Sequence, residues 1–180
     1  SKNQPQRDGS ERFQDSFSGS IMNNHIVTTL RNQFARVWAM WRSEIGNIPE
    51  AEWRSGDLDY LTPVRHACHA FETADFYTGI IPADQFPWGR HYAGNWEGSP
   101  VAELPDHAGI LSLLEKIAEL VDTRLTALSD DDLNASDPVF PWTGGTRLDT
   151  FLYLLRHTQH HLGELHAELR RRNIPRAAWK

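Results

Sequence analysis

The stretch TRLDTFLYLLRHTQHHLGELHAELRRRN, residues 146–173, constrains the fold more than any other part of the chain. At about 100° per residue, Phe151, Leu154, Leu155, Thr158, Leu162, Leu165 and Leu169 fall into one stripe roughly 100° wide, with polar side chains elsewhere. That pattern predicts a helix with one buried face. Thr146 is placed as its N-cap, Asp149 in its first turn, and Asn173 followed by Pro175 at its end.

Three further segments have the same period. Ile26, Leu30, Phe34, Val37, Trp38 and Trp41 recur at three and four residues, predicting a helix over 22–45 that Gly46 stops. LTPVRHACHAFETADFYTG opens on Thr62 and Pro63, a good cap and first-turn pair, and runs as a helix to Gly79. DHAGILSLLEKIAELVDTRLTALS aligns Ile110, Leu113, Leu114, Ile117, Leu120, Val121, Leu125 and Leu128 on a third helix. Four amphipathic helices and no alternating strand pattern define an all-α, four-helix bundle.

The connections are long. NIPEAEWRSGDLDY joins the first two helices, and residues 80–107, dense in proline, glycine and aromatics, follow the second. DDDLNASDPVFPWTGG breaks the period before the last. Such lengths do not suit a bundle with tight turns, and a loop as long as 80–107 is usually functional or packed over something.

Composition narrows the partners. A chain of 180 residues with 39% hydrophobic and 23% charged residues reads as one globular domain over 22–180, preceded by a polar tail expected to be mobile over 1–21. A net charge of −6 supplies no field for a phosphate backbone, and Arg170, Arg171 and Arg172 are read as complementing a helix C-terminus, so nucleic acid is not expected. Cys68 is the single cysteine and sits on an apolar helix face, which points to a buried side chain, no internal disulfide and a cytoplasmic setting. No apolar run reaches the roughly 20 residues of a membrane span, and residues 1–20 lack the apolar core of a secretory signal.

Four of the nine histidines lie in RHTQHHLGELH, residues 156–166. On the helix wheel His161 lies roughly 80° and His157 roughly 120° to one side of the apolar stripe, one turn apart, while His160 and His166 point elsewhere. Two imidazoles at i and i+4 can share one divalent ion, although the same spacing also fits a polar helix flank. On the second helix His69 borders the apolar stripe and His66 is turned toward solvent, so His69 is the better third ligand. Glu72 and Asp75 share the inward side with His69, either as rim residues paired with arginines or as partners of an imidazole. Three neutral imidazoles leave coordination positions open, as catalytic sites do.

HAFETADFYTG, LYLLRHTQHHLGELHAELRRRNIP, the NIPEAEWRSG linker and the FPWG loop together resemble the DinB-like superfamily, the DinB/YfiT-like metalloenzymes, over roughly residues 22–180. The resemblance implies a four-helix bundle with up-down-down-up connectivity and a divalent metal held by His69, His157 and His161. Zinc or nickel is the first choice of ion, with iron, copper or manganese as alternatives. Relatives with assigned chemistry include mycothiol-dependent maleylpyruvate isomerases, bacillithiol S-transferases and the N-terminal domain of ergothioneine-forming enzymes, which implies a small-molecule substrate such as a low-molecular-weight thiol. The isomerase-type relatives carry Glu where His157 stands, so that reaction does not transfer directly. The expected function is a metal-dependent thiol S-transferase or hydrolase, with Glu72, Asp75 or Glu164 orienting the ligands and the 80–107 loop walling the site. The rival reading is a non-catalytic, stress-associated metal-binding homodimer.

Overall fold

A computed structural model describes residues 24–180, and the expected tail over residues 1–21 lies outside the described residues. The helices are α1 (His25–Asn47), α2 (Glu50–Trp53), α3 (Pro63–Tyr77), α4 (His107–Thr126), α5 (Asp130–Asn134) and α6 (Arg147–Arg171). Short 3-10 turns occupy Asp59–Leu61, Ala83–Gln85 and Val101–Glu103. Among the described residues there is no strand, only an isolated bridge between Ser136 and Thr146.

The four long helices, α1, α3, α4 and α6, are those the periodicity predicts, and their apolar stripes meet in one core. Trp41 is at its centre, fully buried, with its ring edge-on to Phe71 of α3 at 5.1 Å and its indole N–H donating to the Thr158 carbonyl of α6 at 3.3 Å. Outside the core, α1 and α4 are tied by two forked ion pairs, Arg31 with Asp122 and Arg42 with Glu115.

Gly46, the capping of α1 and the burial of α3 each depart from what local sequence alone suggests. Gly46 does not stop α1, which continues through Asn47; Ile48 is then extended (ψ 120°) because Pro49 disfavours a helical residue before it. The N-terminus of α1 is capped from a distance. Asn24 makes no side-chain cap bond, and the N–H groups of Ile26 and Val27 donate instead to the Asp130 carboxylate, each at 3.0 Å. Asp130 belongs to α5, a helix the broken period hid, which Ser129 and Asp132 open with a reciprocal capping box.

The third departure is in α3. Amphipathicity predicts one buried face, yet of its 15 residues all but His69 and Phe76 are buried. The reason is the 80–106 loop, which lies over its polar side. Arg65, itself buried, donates to the carbonyls of Trp96 and, at 2.7 Å, Ser99. Asp75 receives a forked pair from Arg90 at 2.6 and 2.8 Å, and Glu72 accepts from the Gly89 N–H and, at 2.8 Å, the Tyr92 hydroxyl. Each buried charge has partners, as burial away from water requires. Cys68 is buried in the same helix and its thiol pKa is pushed up to about 12 by burial, so it is a packing residue.

The last helix ends as its sequence predicts. The Thr146 and Asp149 side chains form a reciprocal capping box at its start. At its end Asn173 takes a left-handed conformation (φ 56°) and the Ile174 N–H returns to the Leu169 carbonyl at 2.9 Å. The chain then runs back against α1, where the buried Glu44 accepts from the Ala177 N–H and lies 3.1 Å from His166 Nδ1.

Candidate metal centre

α3 and α6 pack side by side and bring His69, His157 and His161 to one point. His69 Nε2 lies 3.0 Å from His161 Nε2, which lies 3.1 Å from His157 Nε2, so three ring nitrogens converge from two helices. The i, i+4 spacing on α6 sets two of them on one shoulder, and α3 supplies the third from the only polar position on that helix left part-exposed.

The surroundings orient the rings. A carboxylate only accepts, so the His161 Nδ1–H donates to Glu164 Oε2 at 2.9 Å, and the His161 Nε2 lone pair points into the trio. Thr73 Oγ1 lies 3.5 Å from His69 Nδ1. Trp96, from the covering loop, packs on the His69 ring at 4.1 Å between centroids, and Tyr153 stacks near His157 at 6.1 Å with 19° between planes. His157 Nδ1 is buried without a hydrogen-bond partner.

Burial, reinforced by the neighbouring imidazoles, pulls the pKa of His69 to about 3 and of His161 to about 3; burial and then His160 pull His157 to about 4. All three rings are neutral at pH 7 and present lone pairs rather than charge. One acceptor facing two further nitrogens is poorly served by protons alone. A borderline divalent ion bonded to all three suits the donor set, whose ligand atoms lie within 4.8 Å of one another. The residues therefore fit a metal.

These shifts set a pH dependence in the metal-free protein. Unfolded, each imidazole takes a proton near pH 6.5; folded, it does not until pH 3–4. The unfolded state binds more protons throughout that window, so stability falls as pH drops from 7 toward 4. Denaturant midpoints of chelator-treated protein should decline across this range, and the His157→Ala/His161→Ala double variant should show a shallower decline. Equal slopes would refute the shifts.

Other expected roles fall differently. Glu164 contacts the trio, but Glu72 and Asp75 bond to the covering loop and not to its ring nitrogens. Asp75 also meets His91 Nε2 at 2.7 Å, so His91 serves the loop. His66, read from the wheel as solvent-facing, is 3% exposed, with Nδ1 3.1 Å from the Tyr60 carbonyl and Nε2 2.8 Å from that of His161. It braces the backbone of a trio member; with His161 and Glu164 it also forms a second ligand-like cluster that shares the trio's edge. His160 is largely exposed and sits 3.3 Å from Glu164, while His107 stacks on Trp53 at 4.5 Å. Trp96 lies in a loop, at no spacing that ties it to His69; Tyr153 stands one helical turn before His157, a spacing present in the sequence, but a phenol there is not marked as a ligand's neighbour.

The described residues form a helical fold whose inter-helix seam brings together three imidazoles that could hold a metal ion. The chain belongs to the DinB superfamily, whose family model matches residues 33–165. No match is found among curated proteins. No helix of the described residues is long and apolar enough to cross a membrane.

Proposed function

We propose that this DinB-superfamily protein binds one divalent transition ion through His69, His157 and His161 and uses it to activate a small molecule, a low-molecular-weight thiol in an S-transfer reaction or water in a hydrolysis. The convergence of three neutral Nε2 atoms within 3.1 Å contacts carries the reading. Zinc or nickel suits three imidazoles best. A bound ion with open positions supplies a Lewis acid that lowers the pKa of a thiol or water.

The chain's own residues shape that site. Glu164 fixes the His161 tautomer and raises the basicity of its ring. Trp96 shields the face of His69 from water, and the clamps at Glu72, Asp75 and Arg65 hold the loop that carries it. Tyr77 and Tyr153 line the side toward His157. No described carboxylate donates a fourth bond to the trio, which leaves the approach to a substrate.

The same proposal includes up-down-down-up connectivity over a domain spanning 22–180. Its support is the pairing of early α1 with late α4 (Arg31–Asp122), of early α3 with late α6 (His66–His161 carbonyl), and of Trp41 and Glu44 with Thr158 and His166 in the same order along α1 and α6.

Elemental analysis of untagged protein loaded with zinc or nickel tests the site, with one ion per chain expected; no retained ion refutes it. Turnover of paired thiols and electrophiles, against ester and amide hydrolysis, then separates the two reactions.

A further inference from the structure

Tyr153, Arg156, His157 and His160 stand at i, i+3, i+4 and i+7, one face of α6 next to its buried stripe. They line a groove of about 440 Å³ that reaches the trio through His157. The Arg156 side chain is exposed, and its guanidinium carbon stands 4.9 Å from the Tyr153 ring centroid, a cation–π contact that holds the fork in place. Carboxylates of α6 and of the segment before it have other partners. Glu164 meets His160 at 3.3 Å and His161 at 2.9 Å, Asp149 closes the helix cap, and Asp137 pairs with Arg147 at 3.3 Å. Arg156 enters no ion pair among the described residues, in a protein of net charge −6 where Arg31, Arg42 and Arg171 each have one.

We infer that this groove is the anion subsite of the metal centre: the molecule activated at the trio carries a carboxylate, or a group of the same planar two-oxygen geometry, that Arg156 binds through its fork. The inference rests on the proposed metal site and names the substrate's charge. A guanidinium held on an aromatic ring is already oriented, so a carboxylate forms two charge-assisted hydrogen bonds with little further ordering. From the guanidinium to His157 the path crosses only the Tyr153 ring, 4.9 Å and then 6.1 Å between centres, a span that a short acyl chain bridges.

The test uses the full chain loaded with cobalt(II), whose thiolate absorption reports sulfur binding. 3-Mercaptopropionate and 6-mercaptohexanoate are each compared with the corresponding primary amide. At least one acid should bind about 10-fold to about 100-fold more tightly than its amide. Arg156→Gln should remove that preference while leaving cobalt uptake and amide binding unchanged, and Arg156→Lys should restore part of it, since it keeps the charge and loses the fork. Equal binding of acid and amide by the unaltered protein, or a preference that survives Arg156→Gln, overturns the inference. If the protein takes up no cobalt, the metal reading fails and the groove is judged alone: hexanoate, and not hexanamide, should move the Arg156 Nε–H resonance of metal-free protein. No movement overturns the subsite as well.

Discussion

His157→Ala is expected to lower zinc affinity by at least about 100-fold, because loss of a bond to the ion costs more than the 10-fold to 100-fold typical of losing a ligand's supporting hydrogen bond. The His157 ring is part-exposed, its Nδ1 has no partner and its Nε2 meets only the His161 ring at 3.1 Å, so truncation breaks no contact to the backbone and the helical fold should persist by circular dichroism. His160→Ala is the matched control. It removes an exposed imidazole three residues along the same helix, and should leave zinc binding within about 3-fold, since His160 touches the trio only through Glu164 and ring packing on His161. Competition titration with a zinc chelator measures both. Full zinc occupancy in His157→Ala, or equal loss in both variants, would sink the three-histidine assignment.

Trp41→Ala carries the largest expected cost to stability. The ring is wholly buried between α1, α3 and α6, and its N–H satisfies the Thr158 carbonyl at 3.3 Å. Large-to-small substitution of a buried aromatic costs about 3–5 kcal/mol, a fall in Tm of roughly 6–20 °C for a protein of this size. Trp41→Phe should recover part of the loss, as it restores the contact with Phe71 without the hydrogen bond. Thermal unfolding in the presence of a chelator keeps metal binding from masking the effect. A fall of less than about 3 °C would show that the seam between α1 and α6 is not held there. Since Thr158 follows His157 directly, the alanine variant should also weaken zinc binding.

The histidine trio and the core thus meet at the α3–α6 seam, and the two are legible in the sequence to different degrees. The stripe from Phe151 to Leu169 and the box formed by Thr146 and Asp149 depend on contacts within a few residues, which spacing alone encodes. The nearness of His157 to His161 is of the same kind. Bringing His69 to them is not: 92 residues separate it from His161, and only the packing of α3 against α6 closes that distance. Residue patterns favour His69 over His66 for lying at the edge of the stripe, while the structure buries His66 against two carbonyls.

The misreadings share one cause. A helical wheel assumes that a polar side faces water, and α3 violates that assumption because a loop rather than a helix forms its fourth wall. Residue patterns leave Glu72 and Asp75 open between arginine-paired rim residues and partners of an imidazole; in the structure Asp75 pairs with Arg90, Glu72 takes the Gly89 N–H and the Tyr92 hydroxyl, and both anchor that loop. Asp130 looked like part of a polar break and caps a helix more than 100 residues upstream. Local periodicity and capping chemistry are properties of neighbours along the chain, so the four helices and the His157–His161 half of the site can be read from residue order alone. Which buried charge meets which partner depends on segments far apart in the chain, so the sealing of α3 by the loop, the reach of Glu164 alone among the three carboxylates to the trio, and the absence of an ion pair at Arg156 among the described residues emerge only from packing.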